Sequence, residues 1–294
     1  MNTQPIHDVA ILGTGKMGSA LATTLNEAGF NIRLWNRSRA RAEALGFGTV
    51  APTPAAAARD ADMVISSLTG PDAVRAAYLG PNGALRAGSG KLFIEMSTAG
   101  PDLVAEIGAE VAAADGRLVD APILGAPPIV RAAEAAILLG GTDQDVAAAS
   151  PVLSVLGTVR HVGPLGSAAR LKLVANSMLA DVVLAAAELQ VAGERAGLNP
   201  DDVFWVLERN APGLGPRRAG YLDGRFEPMF ALRDLRKDLA FAEELFGSSG
   251  VSTPLTDSAS ELVTAAADAN PDLDISALIR PYRQAGPPAR AVVS

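Results

Sequence analysis

No cysteine occurs anywhere in the 294 residues. Thiolate nucleophiles, Cys-ligated zinc and disulfides are thereby excluded, and the chain suits a reducing compartment. Histidine is nearly as scarce, with His7 and His161 the only two, so a general acid or base is expected among Lys, Tyr, Asp and Glu. HExxH, P-loop and GxSxG patterns are absent. Zinc hydrolysis, ATP-type phosphate binding and the hydrolase nucleophile elbow therefore lose their usual sequence support. Basic excess is missing too, and a formal net charge of −7 argues against nonspecific nucleic-acid binding and against an anionic membrane surface. Aromatic residues make up 4%, and alanine supplies much of the apolar content, which favours helices. The first residues do not follow the basic, apolar, small-residue order of a signal peptide. A cytoplasmic protein of two domains is expected at this length.

What is present begins with the stretch from Val9 to Ser38. A short apolar run, Val9 to Leu12, reads as a buried parallel strand. Gly13, Gly15 and Gly18 follow it directly, with Lys16 and Met17 between them, and apolar residues continue at helical spacing to Ala28. Gly29 stops that helix, and Ile32 to Trp35 forms a second strand. A GxGxxG carries meaning in this strand–turn–helix–strand context. The first glycine permits the tight turn, the second lets a pyrophosphate approach, and the third lets helix and strand pack closely. The end of the second strand selects the dinucleotide. An NAD site places Asp or Glu there for the ribose hydroxyl. This chain has Asn36, then Arg37, Ser38 and Arg39, a set suited to a 2′-phosphate. NADPH/NADP+ is the expected coenzyme, in preference to NADH.

Strand and helix patterns alternate through the first half. Strands are expected at Met63 to Ser66, Lys91 to Glu95, Arg117 to Ala121, Ala136 to Leu139 and Val159 to Val162. Helices are expected at Asp72 to Leu79, Pro101 to Ala114 and Asp143 to Leu156, with an irregular loop from Pro122 to Pro128. This predicts an α/β doubly wound (Rossmann) sheet over residues 1–164, with ligands at the carboxyl ends of its strands. The exit loops carrying Ser67 and Leu68, Ser97 and Thr98, and Leu124, Gly125 and Ala126 should then converge on the coenzyme and substrate. After Gly166 the pattern becomes all-helical, and residues 165–294 form a second domain. Ser167 to Arg195 reads as one long helix, apolar on most sides, with Lys172, Asp181 and Glu188 breaking it below the ~18 uncharged residues of a membrane span. Further helices are expected at Pro200 to Asn210, Arg217 to Asp223, Leu232 to Leu245, Pro254 to Ala269 and Ser276 to Tyr282, then a loose tail from Gly286 with Pro287 and Pro288. The apolar surface of the central helix predicts a homodimer formed through it.

Lys172 and Asn176, four apart at the start of that helix, share one face. Partial desolvation of a lysine there lowers its pKa toward the range useful for proton transfer. Asn176 can hold a substrate oxygen without adding charge. Four motifs in order complete the pattern: the cofactor glycines, Ser97-Thr98 before a helix, Asp120-Ala121-Pro122 before a loop, and Gly166…Lys172…Asn176. With them the chain resembles the β-hydroxyacid dehydrogenase family, the relatives of 3-hydroxyisobutyrate and 6-phosphogluconate dehydrogenases, over nearly its whole length to Lys237-Asp238-Leu239. The resemblance implies that Lys172 is the general acid/base, that Asn176 is its partner on the substrate, that Ser97 and Thr98 lie by the nicotinamide, and that Lys237 reaches the same cleft.

The substrate loop departs from the family pattern. Where relatives have Val-Ser-Gly-Gly, whose hydroxyl and N–H groups bind a small carboxylate, this chain has Ile123-Leu124-Gly125-Ala126. Ala168 also replaces a usual glycine. A bulkier or less polar carbonyl compound suits Leu124 better than a simple 3-hydroxy acid. Pro127, Pro128 and the segment Glu134 to Leu139 look more like the corresponding loop of imine reductases, which share the architecture and favour NADPH but usually carry Asp or Tyr in place of Lys172. Three readings thus stand side by side: a dehydrogenase acting on a hydroxy acid or carbonyl compound, an imine reductase, and a dinucleotide-binding module without catalysis. None of them requires a metal.

Overall fold

The computed structural model describes residues 6–284. By its internal contacts the chain divides into one compact unit ending at Lys172 and another beginning at Leu173.

The first unit is laid down as strands and helices in alternation. β1 (Asp8–Leu12), α1 (Lys16–Glu27), β2 (Asn31–Trp35), α2 (Arg39–Glu43), β3 (Thr49–Val50), α3 (Pro54–Arg59), β4 (Met63–Ser66) and α4 (Pro71–Leu79) come first. β5 (Leu92–Glu95), α5 (Pro101–Ala113), β6 (Arg117–Asp120), β7 (Ile123–Leu124), α6 (Pro127–Arg131), β8 (Ala135–Gly140), α7 (Asp143–Leu153), β9 (Gly157–Gly163) and α8 (Ser167–Arg195) follow. Neighbouring strands run in the order β3-β2-β1-β4-β5-β6-β8-β7, with β9 beside β8. All pairings from β3 to β6 are parallel. The connection that returns from β3 to β4, on the other side of β1, makes a topological switch at β1/β4, and ligands of doubly wound sheets bind outside such a point.

The central strands are apolar runs because both faces are covered by helices. Val9, Ala10, Ile11, Leu12, Val64 and Ile65 are wholly buried. One face packs with Leu21 and Leu25 of α1 and the other with Val74 and Tyr78 of α4 and Ile107 of α5. Each such aliphatic side chain contributes about 1.5–3 kcal/mol of transfer free energy.

Prolines mark helix starts: Pro54, Pro71, Pro101 and Pro127 each sit in the first turn, where the missing N–H costs nothing. Pro127 thereby corrects the expectation of an irregular loop from Pro122 to Pro128. Ile123 and Leu124 pair with Ile137 and Ala136 as an antiparallel edge, and α6 starts immediately after. α2, β3 and α3 also lie where no element was expected, each too short for a periodic signal. The helix expected to reach Leu156 is α-helical only to Leu153, then tightens into a 3₁₀ turn before Gly157.

α8 keeps the bounds expected of it. By length and mean hydropathy, 1.4, it could cross a membrane, yet half of its most apolar stretch is buried within the structure. In the second unit Val183, Ala187 and Val191 of α8 form a core with Phe204, Tyr221, Leu235, Leu239 and Val263. These come from α9 (Pro200–Asn210), α10 (Arg218–Asp223), α11 (Leu232–Ser248) and α12 (Pro254–Ala269), and α13 (Ile279–Gln284) closes the described chain. The expected helix from Ser276 to Tyr282 is split into a 3₁₀ turn and α13. Tyr221 is buried because its hydroxyl has a partner, donating to the Val183 carbonyl at 2.7 Å. The tail from Gly286 lies outside the described residues.

Candidate active site

The glycine turn is shaped by three different constraints. Gly13 has φ +98°, and a methyl group there would run into the Ser67 carbonyl. A methyl at Gly18 would run into the Gly13 carbonyl. At Gly15 a methyl would meet nothing within 4 Å. Open space therefore lies over the N-terminus of α1, whose first turn has no side-chain cap. Uncapped N–H groups facing open space suit an anion. Beside them the Thr14 hydroxyl is buried without a hydrogen-bond partner among the described residues. The residues present fit a dinucleotide pyrophosphate at this turn. Lys16 is exposed at the start of α1 and Met17 is half-buried behind it.

Asn36 stands at the end of β2 and ties the turn to it. Its Oδ1 accepts from the Thr14 N–H at 3.0 Å, and its Nδ2 donates to the Ser38 carbonyl at 2.9 Å. Of the cations that follow, Arg39 is engaged with Glu43 at 2.7 Å. Arg37 and Ser38 are exposed.

Three successive parallel strands, β4, β5 and β6, end in buried polar residues in one register row: Ser66, Glu95 and Asp120. Glu95 Oε2 accepts from the Ser66 hydroxyl at 2.6 Å, and Oε1 accepts from the Ser97 N–H at 2.7 Å. Ser97 Oγ then accepts from the Leu68 N–H at 2.9 Å. The exit loops of β4 and β5 are thus joined, bringing Ser67, Leu68, Ser97 and Thr98 to the ligand edge of the sheet beside the glycine turn. Burial pushes the Glu95 carboxyl up to about 6, against the opposing pull of its hydroxyl and N–H donors.

Asp120 holds the start of α8. Its Oδ1 accepts from the Gly166 N–H at 2.8 Å and its Oδ2 from the Ala169 N–H at 2.7 Å. Gly140 is required opposite, since a methyl there would strike this carboxylate. Burial raises the Asp120 pKa, and the N–H groups of α8 oppose it. One turn further on, Lys172 Nζ donates to the Ile123 carbonyl at 2.7 Å. The segment from Asp120 to Ile123 therefore grips both the N-terminus of α8 and its lysine. The division between the two compact units falls just after this gripped turn, between Lys172 and Leu173. Leu124 and Ala126 are half-buried and Gly125 is exposed.

In the second unit Asn176 is 3% exposed, and its Nδ2 donates to Asp238 Oδ2 at 2.6 Å. Lys237 Nζ donates to the other oxygen of Asp238 at 2.5 Å and lies 5.3 Å from the Phe241 ring. Asp238 is 2% exposed. This carboxylate orients two of the expected site residues, yet the sequence marked it only as a member of a motif. Its spacing of 62 residues from Asn176 carries no local signal.

Residues 8–163 match the family described as the NAD binding domain of 6-phosphogluconate dehydrogenase. Residues 166–282 match the NAD-binding domain of NADP-dependent 3-hydroxyisobutyrate dehydrogenase. The chain belongs to the β-hydroxyacid dehydrogenase family. A probable 3-hydroxyisobutyrate dehydrogenase of Mycobacterium tuberculosis is 31% identical, with 94% of this chain and 97% of that protein covered. The solved structure of the M. tuberculosis 3-hydroxyisobutyrate dehydrogenase with L-serine has a TM-score of 0.81 at 28% identity, covering 95% and 99% of the two chains. An imine reductase from Pseudomonas shares the fold, with a TM-score of 0.65 at 23% identity over 94% and 99%. Family membership makes this chain a nicotinamide-dinucleotide-binding oxidoreductase.

Proposed function

We propose that the chain is a cytoplasmic, NADPH-preferring dehydrogenase of the β-hydroxyacid type, with Lys172 as general acid/base and Asn176 as its partner on the substrate oxygen. The observation that carries this reading is the Lys172 ammonium, held at 2.7 Å by the Ile123 carbonyl on a helix turn that Asp120 anchors. A charged donor with few rotamers left open is what protonation of a developing alkoxide requires. The bound nicotinamide supplies or removes the hydride. Lys172 gives its proton to the carbonyl oxygen during reduction and takes one from the hydroxyl during oxidation. Asn176, one turn along α8, presents an amide whose orientation Asp238 sets.

NADPH preference is supported by Asn36, whose uncharged side chain is committed to the turn, and by the exposed guanidinium of Arg37 beside it. The cysteine-free sequence supports the cytoplasm. A second copy of this chain is the expected partner, because Leu171, Val174 and Met178 expose 43–63% of their surface along one face of α8, with Leu189 at 53% further along the helix. Light scattering at twice the single-chain mass checks that point.

A second reading, imine reduction, is favoured by the loop itself, in which half-buried Leu124 stands where a hydroxyl would bind a carboxylate. Assay with NADPH against aldehydes, keto acids and cyclic imines separates the two. Under the first reading carbonyl compounds are reduced, and Lys172→Ala lowers kcat by roughly 10²- to 10⁴-fold while coenzyme affinity holds. Turnover of imines alone would replace the first reading with the second, whereas a Lys172→Ala enzyme with normal carbonyl reduction would show that Lys172 is not the acid.

A further inference from the structure

Ser66, Tyr78 and Glu95 form a buried chain of titratable and hydroxyl groups that the proposed chemistry leaves unused. Tyr78 is wholly buried, and its hydroxyl lies 2.7 Å from Ser66 Oγ. Ser66 has one proton and a carboxylate at 2.6 Å to receive it. Hydrogen-bond direction then follows: Tyr78 donates to Ser66, Ser66 donates to Glu95, and Glu95 also receives the Ser97 N–H. The chain ends on the carboxylate because nothing else in it is purely an acceptor.

From Glu95 the tie continues outward. Ser97 Oγ receives the Leu68 N–H, and Ser67 and Leu68 lie against Gly13 so closely that a methyl there would collide with both. A single carboxylate thus connects the ends of β4 and β5 to the glycine turn.

We propose that Glu95 is a positioning residue for the dinucleotide site, its carboxylate holding the Ser67–Leu68 and Ser97–Thr98 loops in the arrangement that receives the coenzyme. The proposal rests on the nicotinamide-dinucleotide reading of this unit. Protonation turns one acceptor oxygen into a donor, and Ser66 must then redirect its hydroxyl to the Ile94 carbonyl, 3.3 Å away. The carboxyl lies at about 6, so this reversal falls in an accessible pH range. Facing it are the hydroxyls of Tyr78 from α4 and Ser66 from β4, with the hydroxyl and N–H of Ser97 from its own exit loop. Asp120 is its register partner on β6, with both oxygens turned to the N–H groups of α8.

Glu95→Gln tests the idea without removing volume, because an amide can accept from Ser97 and donate to Ser66, as the protonated acid does. NADPH is titrated by fluorescence into the wild type and the variant from pH 5 to pH 8. The 2′-phosphate of NADPH itself titrates near pH 6, and the ratio of the two dissociation constants cancels it. At pH 7.5 the variant should bind about three- to tenfold more weakly, the difference between a charge-assisted and a neutral hydrogen bond. At pH 5 the ratio should approach one. A ratio that stays constant across the range, at one or at any other value, overturns the proposal. Glu95→Ala should weaken binding at pH 7.5 beyond tenfold, and wild-type affinity in a folded alanine variant also overturns it. If circular dichroism shows that the alanine variant does not fold, the glutamine series decides. A wild type that binds neither NADPH nor NADH defeats the coenzyme reading itself. A wild type that binds, with a flat ratio, defeats only the role given to Glu95.

Discussion

At the end of β5, Glu95 receives the Ser66 hydroxyl and the Ser97 N–H; at the end of β6, its register partner Asp120 receives the N–H groups of Gly166, just before α8, and of Ala169 in its first turn. Both carboxyls are buried and both are pushed upward by that burial. Their donors differ in kind. Those of Asp120 belong to the positive end of a 29-residue helix and cannot turn away. One donor of Glu95 is a hydroxyl that can rotate to another acceptor. A carboxylate at a helix N-terminus is therefore a clamp, whereas one served by a hydroxyl is a group whose charge can be exchanged at modest cost. The first holds the lysine turn and the second ties the exit loops of β4 and β5.

The sharpest way to break this contrast is to remove the clamp. Asp120→Ala leaves the buried Gly166 N–H and the half-buried Ala169 N–H without their charged partner and should destabilise the first unit by about 3 kcal/mol. Asp120→Asn, which keeps one acceptor oxygen, should cost roughly half of that. Denaturant midpoints followed by circular dichroism measure both. If Asp120→Ala unfolds like the wild type, the clamp is not what holds α8.

A smaller effect, of opposite sign, is expected from Glu95. Its folded-state pKa, about 6, lies above the ordinary glutamate value of 4.5, so the folded chain holds this proton longer than the unfolded one. Stability from this group is then full below about pH 4.5 and falls by about 2 kcal/mol as the pH rises through 6. Glu95→Gln should abolish that segment of the pH–stability curve, measured from pH 4.5 to 7. A wild-type curve that rises over the interval would reverse the sign assigned to Glu95.

The smallest effect is a control placed away from both strand ends. Asn36→Asp combined with Arg37→Ala should move coenzyme preference toward NADH by at least tenfold, about 1.4 kcal/mol. It should leave the consequences of changing Asp120 and Glu95 as they are. Equal affinity of the unmodified protein for NADH and NADPH removes the ground for this prediction.

Much of the fold was legible because its signals are local. Gly13, Gly15 and Gly18 after an apolar run announced the turn, and Pro101, Pro200 and Pro254 opened helices where expected. α8 kept both predicted ends, since a run from Ser167 without Gly or Pro until Gly193 can be followed residue by residue. β7 and α6 were not legible. A two-residue edge strand has no period to detect, and Pro127 reads equally well as a loop residue until a helix is seen to follow it.

Among the candidate site residues, Lys172 and Asn176 could be placed on one face by counting along a helix. The roles of Glu95 and Asp238 could not be counted. Glu95 looked like the polar end of a strand, and Asp238 like one member of the Lys237-Asp238-Leu239 motif. Ser66 lies 29 residues from Glu95, and Asn176 lies 62 from Asp238. By itself the sequence determined where the backbone turns, where helices start and which strands are buried. All of these follow from the conformational and solvation preferences of residues close together in the chain. Only the tertiary structure decided which buried carboxylate faces which donor. That choice depends on strand register and helix packing between segments dozens of residues apart, and a buried charge persists only where such a partner has been brought to it.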